Sequence, residues 1–281
     1  MSRLNALRSA ALLVAALLFG SAMAEPVTLD GTEQWNMKSA EGRDYRIMIS
    51  LPEGDVPYTG GYPVIYVVDG NALLPAFHAA KRGQDRMKGA IIVAIGYPST
   101  TPYDFNRRAF DLSPPQPADR NDPPQGGQDL FLDFIEKRLM PKVSERFKVD
   151  QDQRSLVGWS FGGMFGIYTL FTRPHLFQHT VAVSTSLWWR DRFLLEPERA
   201  FTQRAHDGKV NLTHSSLTLL VGDREMPQEL QDTRALQRRL EPLSQYGLRS
   251  DFHVEAGEDH MSMPFRVVTR VLEELLTTRR Y

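Results

Sequence analysis

The chain predicts an α/β fold, a mostly parallel central sheet with helices on both faces, on three observations. Short, continuous apolar runs recur along it, segments with a period near 3.6 lie between them, and one run ends in a glycine-flanked serine that opens a helix. Continuous rather than alternating apolar runs are what parallel strands need when both faces are covered. At 281 residues the chain can bury a core without metal or disulfide staples. With no internal repeat, residues 25–281 read as a single domain.

The predicted strands are Asp44–Leu51, Tyr62–Val68, Ala90–Ile95, Ser155–Gly158, Thr180–Ser184, Leu217–Val221 and Asp251–Val254, with a weaker one at Pro26–Leu29. Helical periodicity falls on Leu130–Phe147, Leu230–Tyr246 and Phe265–Leu276. In the first of these, Leu130, Phe134, Leu139 and Val143 lie roughly along one side, and Pro141 predicts a kink or a boundary. Leu112–Gly127 carries five prolines and two glycines, so it cannot be helix or sheet interior and reads as a long loop over the site.

The first 24 residues differ in kind. Arg3 and Arg8 give a positive start, Ala10–Phe19 is apolar and uncharged, and Ala22-Met23-Ala24 fits a small-residue cleavage site. The apolar run falls short of the roughly 20 residues a membrane span needs. Residues 1–24 therefore predict a cleaved signal peptide, a mature start at Glu25, a periplasmic location and no stable membrane association. The absence of cysteine rules out disulfides, thiolate metal sites and a cysteine nucleophile, and suits an oxidising compartment. With 33 basic against 34 acidic residues, no overall field draws a polyanion, and nucleic acid is not an expected partner.

The chemistry concentrates in Gly158-Trp159-Ser160-Phe161-Gly162, a G-x-S-x-G pentapeptide. An apolar strand precedes it and Gly163-Met164-Phe165-Gly166-Ile167-Tyr168 opens a helix behind it. A sharp strand-to-helix turn presenting a serine needs small residues two positions either side, so Ser160 is the candidate nucleophile. A hydroxyl is a weak nucleophile without an adjacent base. Of seven histidines, His260 lies just past the last predicted strand, where the Ser–acid–His order of α/β hydrolases requires the base. His175 and His179 are four apart, but Leu-Phe-Gln lies between them without a metalloprotease glutamate, and they read as surface histidines near a helix end. No metal and no protein-bound cofactor is expected.

The acid should follow the penultimate strand, in Gly222-Asp223-Arg224-Glu225. The third residue after the glycine selects Glu225, with Asp223 as the alternative; either could orient the imidazole, and a surface pairing with Arg224 is the structural alternative. An oxyanion hole needs two backbone donors. One is expected from Phe161 and the other from the turn Asp69-Gly70-Asn71 behind the third strand, with Gly70 and Asn71 as candidates.

Four segments carry a family resemblance: PVIYVVDGN, GWSFGGMFGIYTLF, STSLWW at Ser184–Trp189 and GEDHMSMP at Gly257–Pro264. In order and spacing they are similar to those of the esterase-D-like α/β hydrolases, and within them to the periplasmic siderophore esterases that cut trilactones such as enterobactin. The resemblance covers nearly all of residues 25–281. It implies an α/β-hydrolase fold, a serine esterase activity and a small-molecule ester substrate, a free or ferric catecholate siderophore. Arg107 and Arg108 resemble the family's arginine-rich stretch, and Trp188 and Trp189 follow the sixth strand. Arginines and aromatic faces suit anionic catecholates. Against this, Trp pairs commonly pack core, and Arg108 with Asp111 can form an i,i+3 ion pair. A carboxylesterase or acyltransferase for simple acyl esters is the alternative activity, and a non-catalytic siderophore binder the alternative from another class.

Overall fold

In a computed structural model of the chain, residues 27–58, 60–115 and 123–277 are described. The signal-peptide expectation for residues 1–24 lies outside them, as does the middle of the Pro-rich loop. Gly31–Tyr281 forms one compact unit, and Val27–Asp30 before it carries no strand, so the weak expectation at Pro26–Leu29 is not met there. Among the described residues no helix is long and apolar enough to cross a membrane.

The sheet has eight strands: β1 (Thr32–Lys38), β2 (Asp44–Ser50), β3 (Tyr62–Val68), β4 (Ile91–Gly96), β5 (Val149–Trp159), β6 (His179–Val183), β7 (Ser216–Gly222) and β8 (Arg249–Glu255). Their spatial order is β1-β2-β4-β3-β5-β6-β7-β8. The β1–β2 and β2–β4 pairs are antiparallel, and every pair from β4 onward is parallel. Ile65, Val67, Val93, Val157, Val181 and Leu219 are all buried, as their continuous apolar runs require when helices cover both faces.

Two helices, absent from the sequence reading, follow the first two parallel strands. α1 (Gly70–Arg82) and α2 (Phe105–Asp111) both lead from strand ends that border the site. α3 (Gln128–Phe134) passes through a π-helical turn at Ile135–Leu139 into α4 (Met140–Arg146). Pro141, which has no N–H to give the Lys137 carbonyl, lies in the first turn of α4, so the predicted kink or boundary takes the form of a π turn followed by a new helix start. α5 (Phe161–Thr172), α6 (Leu195–His206), α7 (Pro227–Leu240) and α8 (Val268–Thr277) complete the layers.

The core lies in two layers, one on each side of the sheet. Tyr45, Tyr66, Phe131, Phe134 and Phe165 fill one face, and Phe77, Val157, Val181, Val271 and Leu272 the other. Phe134 stacks on Tyr45 at 4.3 Å between centroids. Leu130 departs from its expected side and is 38% exposed, because the first turn of α3 borders the surface around Ala40 and Glu41.

The Pro-rich segment is a closed loop at its base: Gly127 N–H donates to Phe110 O and Gln128 N–H to Ser113 O. Phe134→Ala is expected to lower the unfolding free energy by about 3–5 kcal/mol and Leu130→Ala by less than about 0.5 kcal/mol, as read by denaturant titration. The reverse order would mean that α3 faces the core with its other side.

Candidate active site

β5 ends at Trp159, and Ser160 takes φ 59° and ψ −117° before α5 begins at Phe161. A left-handed φ at a serine is strained and persists only where its surroundings impose it. The ladder imposes it from one side, since Ser160 N–H donates to Val183 O at 2.9 Å. The flanking glycines permit it. A Cβ at Gly158 would stand 2.1 Å from Gly162 O, and one at Gly162 would stand 2.6 Å from Val68 Cγ2. Nothing larger fits at either position.

The Ser160 hydroxyl is 3.1 Å from His260 Nε2, and His260 Nδ1 is 3.1 Å from Glu225 Oε2. His260 is carried on the loop after β8, where Trp159 Nε1–H donates to its carbonyl at 2.8 Å. Glu225 is buried at the end of the turn after β7; its Oε1 accepts Gly222 N–H at 2.7 Å and Ser184 Oγ–H at 2.6 Å. Of the two sequence candidates, Glu225 therefore meets the imidazole. Asp223 is exposed and accepts Gly257 N–H at 2.7 Å, so it ties the acid turn to the histidine loop and leaves the ring alone.

Burial opposes charge on His260, but hydrogen bonds to Glu225 and Glu229 and their negative charges outweigh it and raise its pKa to about 9. Burial would likewise raise Glu225, yet hydrogen bonds from His260, Ser184 and Gly222 hold it below the usual carboxylate range. Such an arrangement lets the ring take the Ser160 proton while Glu225 fixes the Nδ1 tautomer and stabilises the imidazolium.

Glu229, from the first turn of α7, was not anticipated: its Oε1 stands 3.5 Å from His260 Nδ1. Glu225, Glu229 and His260 are close enough together to ligate a cation, and Nδ1–H donating toward the two carboxylates also accounts for their approach.

Phe161 N–H heads α5 and has no partner within the helix. The Asp69–Asn71 turn is drawn against the elbow, with Asp69 Oδ2 3.6 Å from a Cβ built on Gly162. Asp69 takes φ 57° and ψ 40°, so the Gly70 and Asn71 amides open α1 without intrahelical acceptors. The Asn71 side chain is occupied elsewhere, donating to Tyr97 O and Ser99 O at 3.0 Å and accepting Tyr97 N–H at 2.9 Å. Only backbone N–H groups of this turn are thus available to an oxyanion.

A cleft of about 610 Å³ opens on Ser160 and His260, walled by Phe161, Trp188, Trp189, Met226 and Met261, with Arg224 also lining it. Trp188 and Trp189 stand edge-on at 5.6 Å, and Trp189 packs on Phe161 at 4.7 Å.

Neither predicted arginine lines this cleft. Arg108 is buried and grips Asp69 with two hydrogen bonds of 2.9 Å. Arg107 donates to Asp44 O at 3.0 Å, lies over the Tyr97 and Tyr45 rings and approaches Asp111 at 3.8 Å. Asp111 is thus approached by Arg107 four residues back, and the i,i+3 pair with Arg108 is not formed. Arg224, which the sequence offered only as a surface partner in the alternative reading of the acid turn, is the arginine that lines the cleft. His179 is buried in β6 with Nδ1 2.7 Å from Ser216 Oγ, in place of the surface position expected.

Fold and site together define an α/β hydrolase. The chain belongs to the esterase family: the family model described as putative esterase matches residues 39–267, and the protein is a carboxylic ester hydrolase. Among its relatives, the ferri-bacillibactin esterase BesA of Bacillus subtilis is 33% identical over 262 residues, 87% of this chain and 89% of that one. The siderophore triacetylfusarinine C esterase of Aspergillus fumigatus is 40% identical over 199 residues, 66% of this chain and 68% of that one. The crystal structure of the BES protein from Bacillus cereus superposes with a TM-score of 0.82 at 31% identity, over 92% of this chain and 100% of that one.

Two outcomes are expected from this geometry. Glu225→Gln should reduce kcat for ester hydrolysis by up to about 10⁴, through loss of the tautomer set by the carboxylate, while Asp223→Asn should cost far less; the reverse ranking would move the acid to Asp223. Because the ring must be neutral to accept the serine proton and its pKa is raised to about 9, kcat/KM should climb through neutral pH and level off only above about 9, since this ratio reports the free enzyme. An inflection near pH 6.5 would show that the carboxylates exert no such pull.

Proposed function

We propose that the protein is a serine esterase that opens the ester bonds of a catecholate trilactone siderophore, enterobactin-like and free or ferric, in the periplasm. Ser160 Oγ attacks the ester carbonyl as His260 Nε2 takes its proton, and Glu225 steadies the resulting imidazolium. The tetrahedral oxyanion is held by Phe161 N–H and the amides of the Asp69–Asn71 turn, Gly70 and Asn71 among them. Collapse expels the alcohol, which leaves with the proton from His260, and a base-activated water then releases the acid and restores Ser160. Export by a leader over residues 1–24 belongs to the same reading.

The observation that carries the reading is the contiguity of the Ser160–His260–Glu225 line with an aromatic wall. Trp188 and Trp189 border the same cleft as the reacting hydroxyl, where flat aromatic rings can be stacked while an ester is presented to Ser160. Arg224, also lining it, offers a cation to an anionic substrate. The relatives support the substrate class, since two are named for siderophore esters. A further relative is the siderophore enterobactin esterase of Emericella nidulans, 33% identical over 213 residues.

Ser160→Ala should fold normally, lose labelling by a fluorophosphonate probe and lose about 10³–10⁶ in rate. Retained labelling would place the nucleophile elsewhere. For the substrate, wild-type protein is incubated with ferric enterobactin and with p-nitrophenyl acetate. Arg224→Gln should lower kcat/KM on the trilactone by about tenfold, the worth of a charge-assisted hydrogen bond, and on the small ester by much less. A wild-type enzyme that cleaves only the small ester would make it a general carboxylesterase.

A further inference from the structure

Glu229 has no part in a three-residue relay, yet it is only 2% exposed. As an acid in the first turn of α7 it could serve merely to complement the helix dipole. A helix dipole alone is a weak partner for a buried carboxylate, which is costly unless a cation or several donors meet it. Among the described residues the cation that Glu229 faces is His260, with Oε1 at 3.5 Å from Nδ1. The same oxygen accepts Trp188 Nε1–H at 3.4 Å. Glu225 meets the ring through Oε2 alone, at 3.1 Å, because its Oε1 is taken by Gly222 N–H and Ser184 Oγ–H.

We propose that Glu229 is a positioning residue, a second carboxylate that shares the Nδ1 proton of His260 with Glu225 and is itself held in place by the indole N–H of Trp188. The inference rests on the reading of Ser160, His260 and Glu225 as the reacting line. Two carboxylates about one imidazole stabilise the imidazolium more than one does, and the imidazolium is the form that accumulates as Ser160 attacks. The cost is a ring that stays protonated, and so unable to act as base, to a higher pH. Other charged groups near the ring are Asp259 in its own loop and Arg224 in the acid turn, both lining the cleft. The groups that raise the ring's pKa are the two glutamates.

The test measures kcat/KM for p-nitrophenyl acetate from pH 5 to 10 in wild type, Glu229→Gln, Trp188→Phe and Glu225→Gln, with fluorophosphonate labelling of each. This small ester makes the outcome independent of the siderophore reading. Glu229→Gln keeps the shape and removes the charge. It should move the acid limb down by about one pH unit or more, the size of shift that an opposite charge at this range produces, and lower the plateau by up to about tenfold. Trp188→Phe keeps a ring and removes the N–H, and should move the limb in the same direction by a smaller amount. A folded Glu229→Gln with the wild-type limb would overturn the proposal. If that variant does not fold, an unmoved limb in Trp188→Phe overturns it equally. Failure of the underlying reading looks different: wild type would then escape labelling, or Glu225→Gln would retain full activity.

Discussion

The strained backbone of Ser160 governs what surrounds it. Holding a serine at φ 59° costs of order 1–3 kcal/mol, and the strain persists only because both sides of the turn are fixed. The sheet fixes one side through the bond from Ser160 N–H to Val183 O, and α5 the other through Met164 N–H to Ser160 O at 3.1 Å. Glycines at 158 and 162 follow from that geometry, since backbone and Val68 already occupy the space their side chains would need. Once the turn exists, the hydroxyl stands clear of the sheet and the first amides of α5 point into the same space. The hydroxyl and one oxyanion donor therefore come from a single local constraint.

The second donor depends on a tertiary contact. Asp69 is buried beside the elbow, and an unpaired carboxylate there would repel a developing oxyanion. Arg108 removes that problem with two 2.9 Å bonds to Asp69. Burial opposes its charge, but the pairing with Asp69 prevails and raises the guanidinium pKa further. A buried pair of this kind is weak evidence for added stability, because desolvation offsets much of the attraction. Its value is in placement: it fixes a left-handed aspartate at the start of α1 and brings the third-strand turn to the nucleophile.

How much could be read from the sequence follows from whether the determining contact is local. The elbow was legible because glycine spacing and strand-to-helix context sit within a dozen residues. His260 and Glu225 were legible because chain order places them after the last two strands, and Glu225 falls at a fixed count from Gly222. β1 was hidden by its composition: TEQWNMK is an edge strand with one side toward solvent, so it lacks a continuous apolar run. α1 was masked by an Asp-Gly-Asn opening and by Pro75 within the helix. The partner of Arg108 lies 39 residues away in sequence, and no spacing rule reaches that far. Glu229 left one faint signal, its position four residues after Glu225 and one before the predicted helix at Leu230–Tyr246, which does not by itself turn its side chain toward His260.

A segment of five residues after β6 joins chemistry to recognition. Ser184 donates to Glu225 at 2.6 Å, Ser186 Oγ lies 3.2 Å from Ser160 Oγ, and Trp188 donates to Glu229 at 3.4 Å. Alternate residues of one stretch thus touch the acid, the serine and the second carboxylate. Ser184 takes φ 48° while its N–H donates to Leu220 O at 2.7 Å, so the sheet fixes where this segment departs. The far end of the same segment is the aromatic wall. Remodelling that wall for a different substrate would therefore disturb hydrogen bonds to the catalytic line, whereas Met226 and Met261, which line the same cleft, make no such bonds through their side chains. Changes in specificity that preserve turnover are for this reason more readily made at Met226 and Met261 than at Trp188.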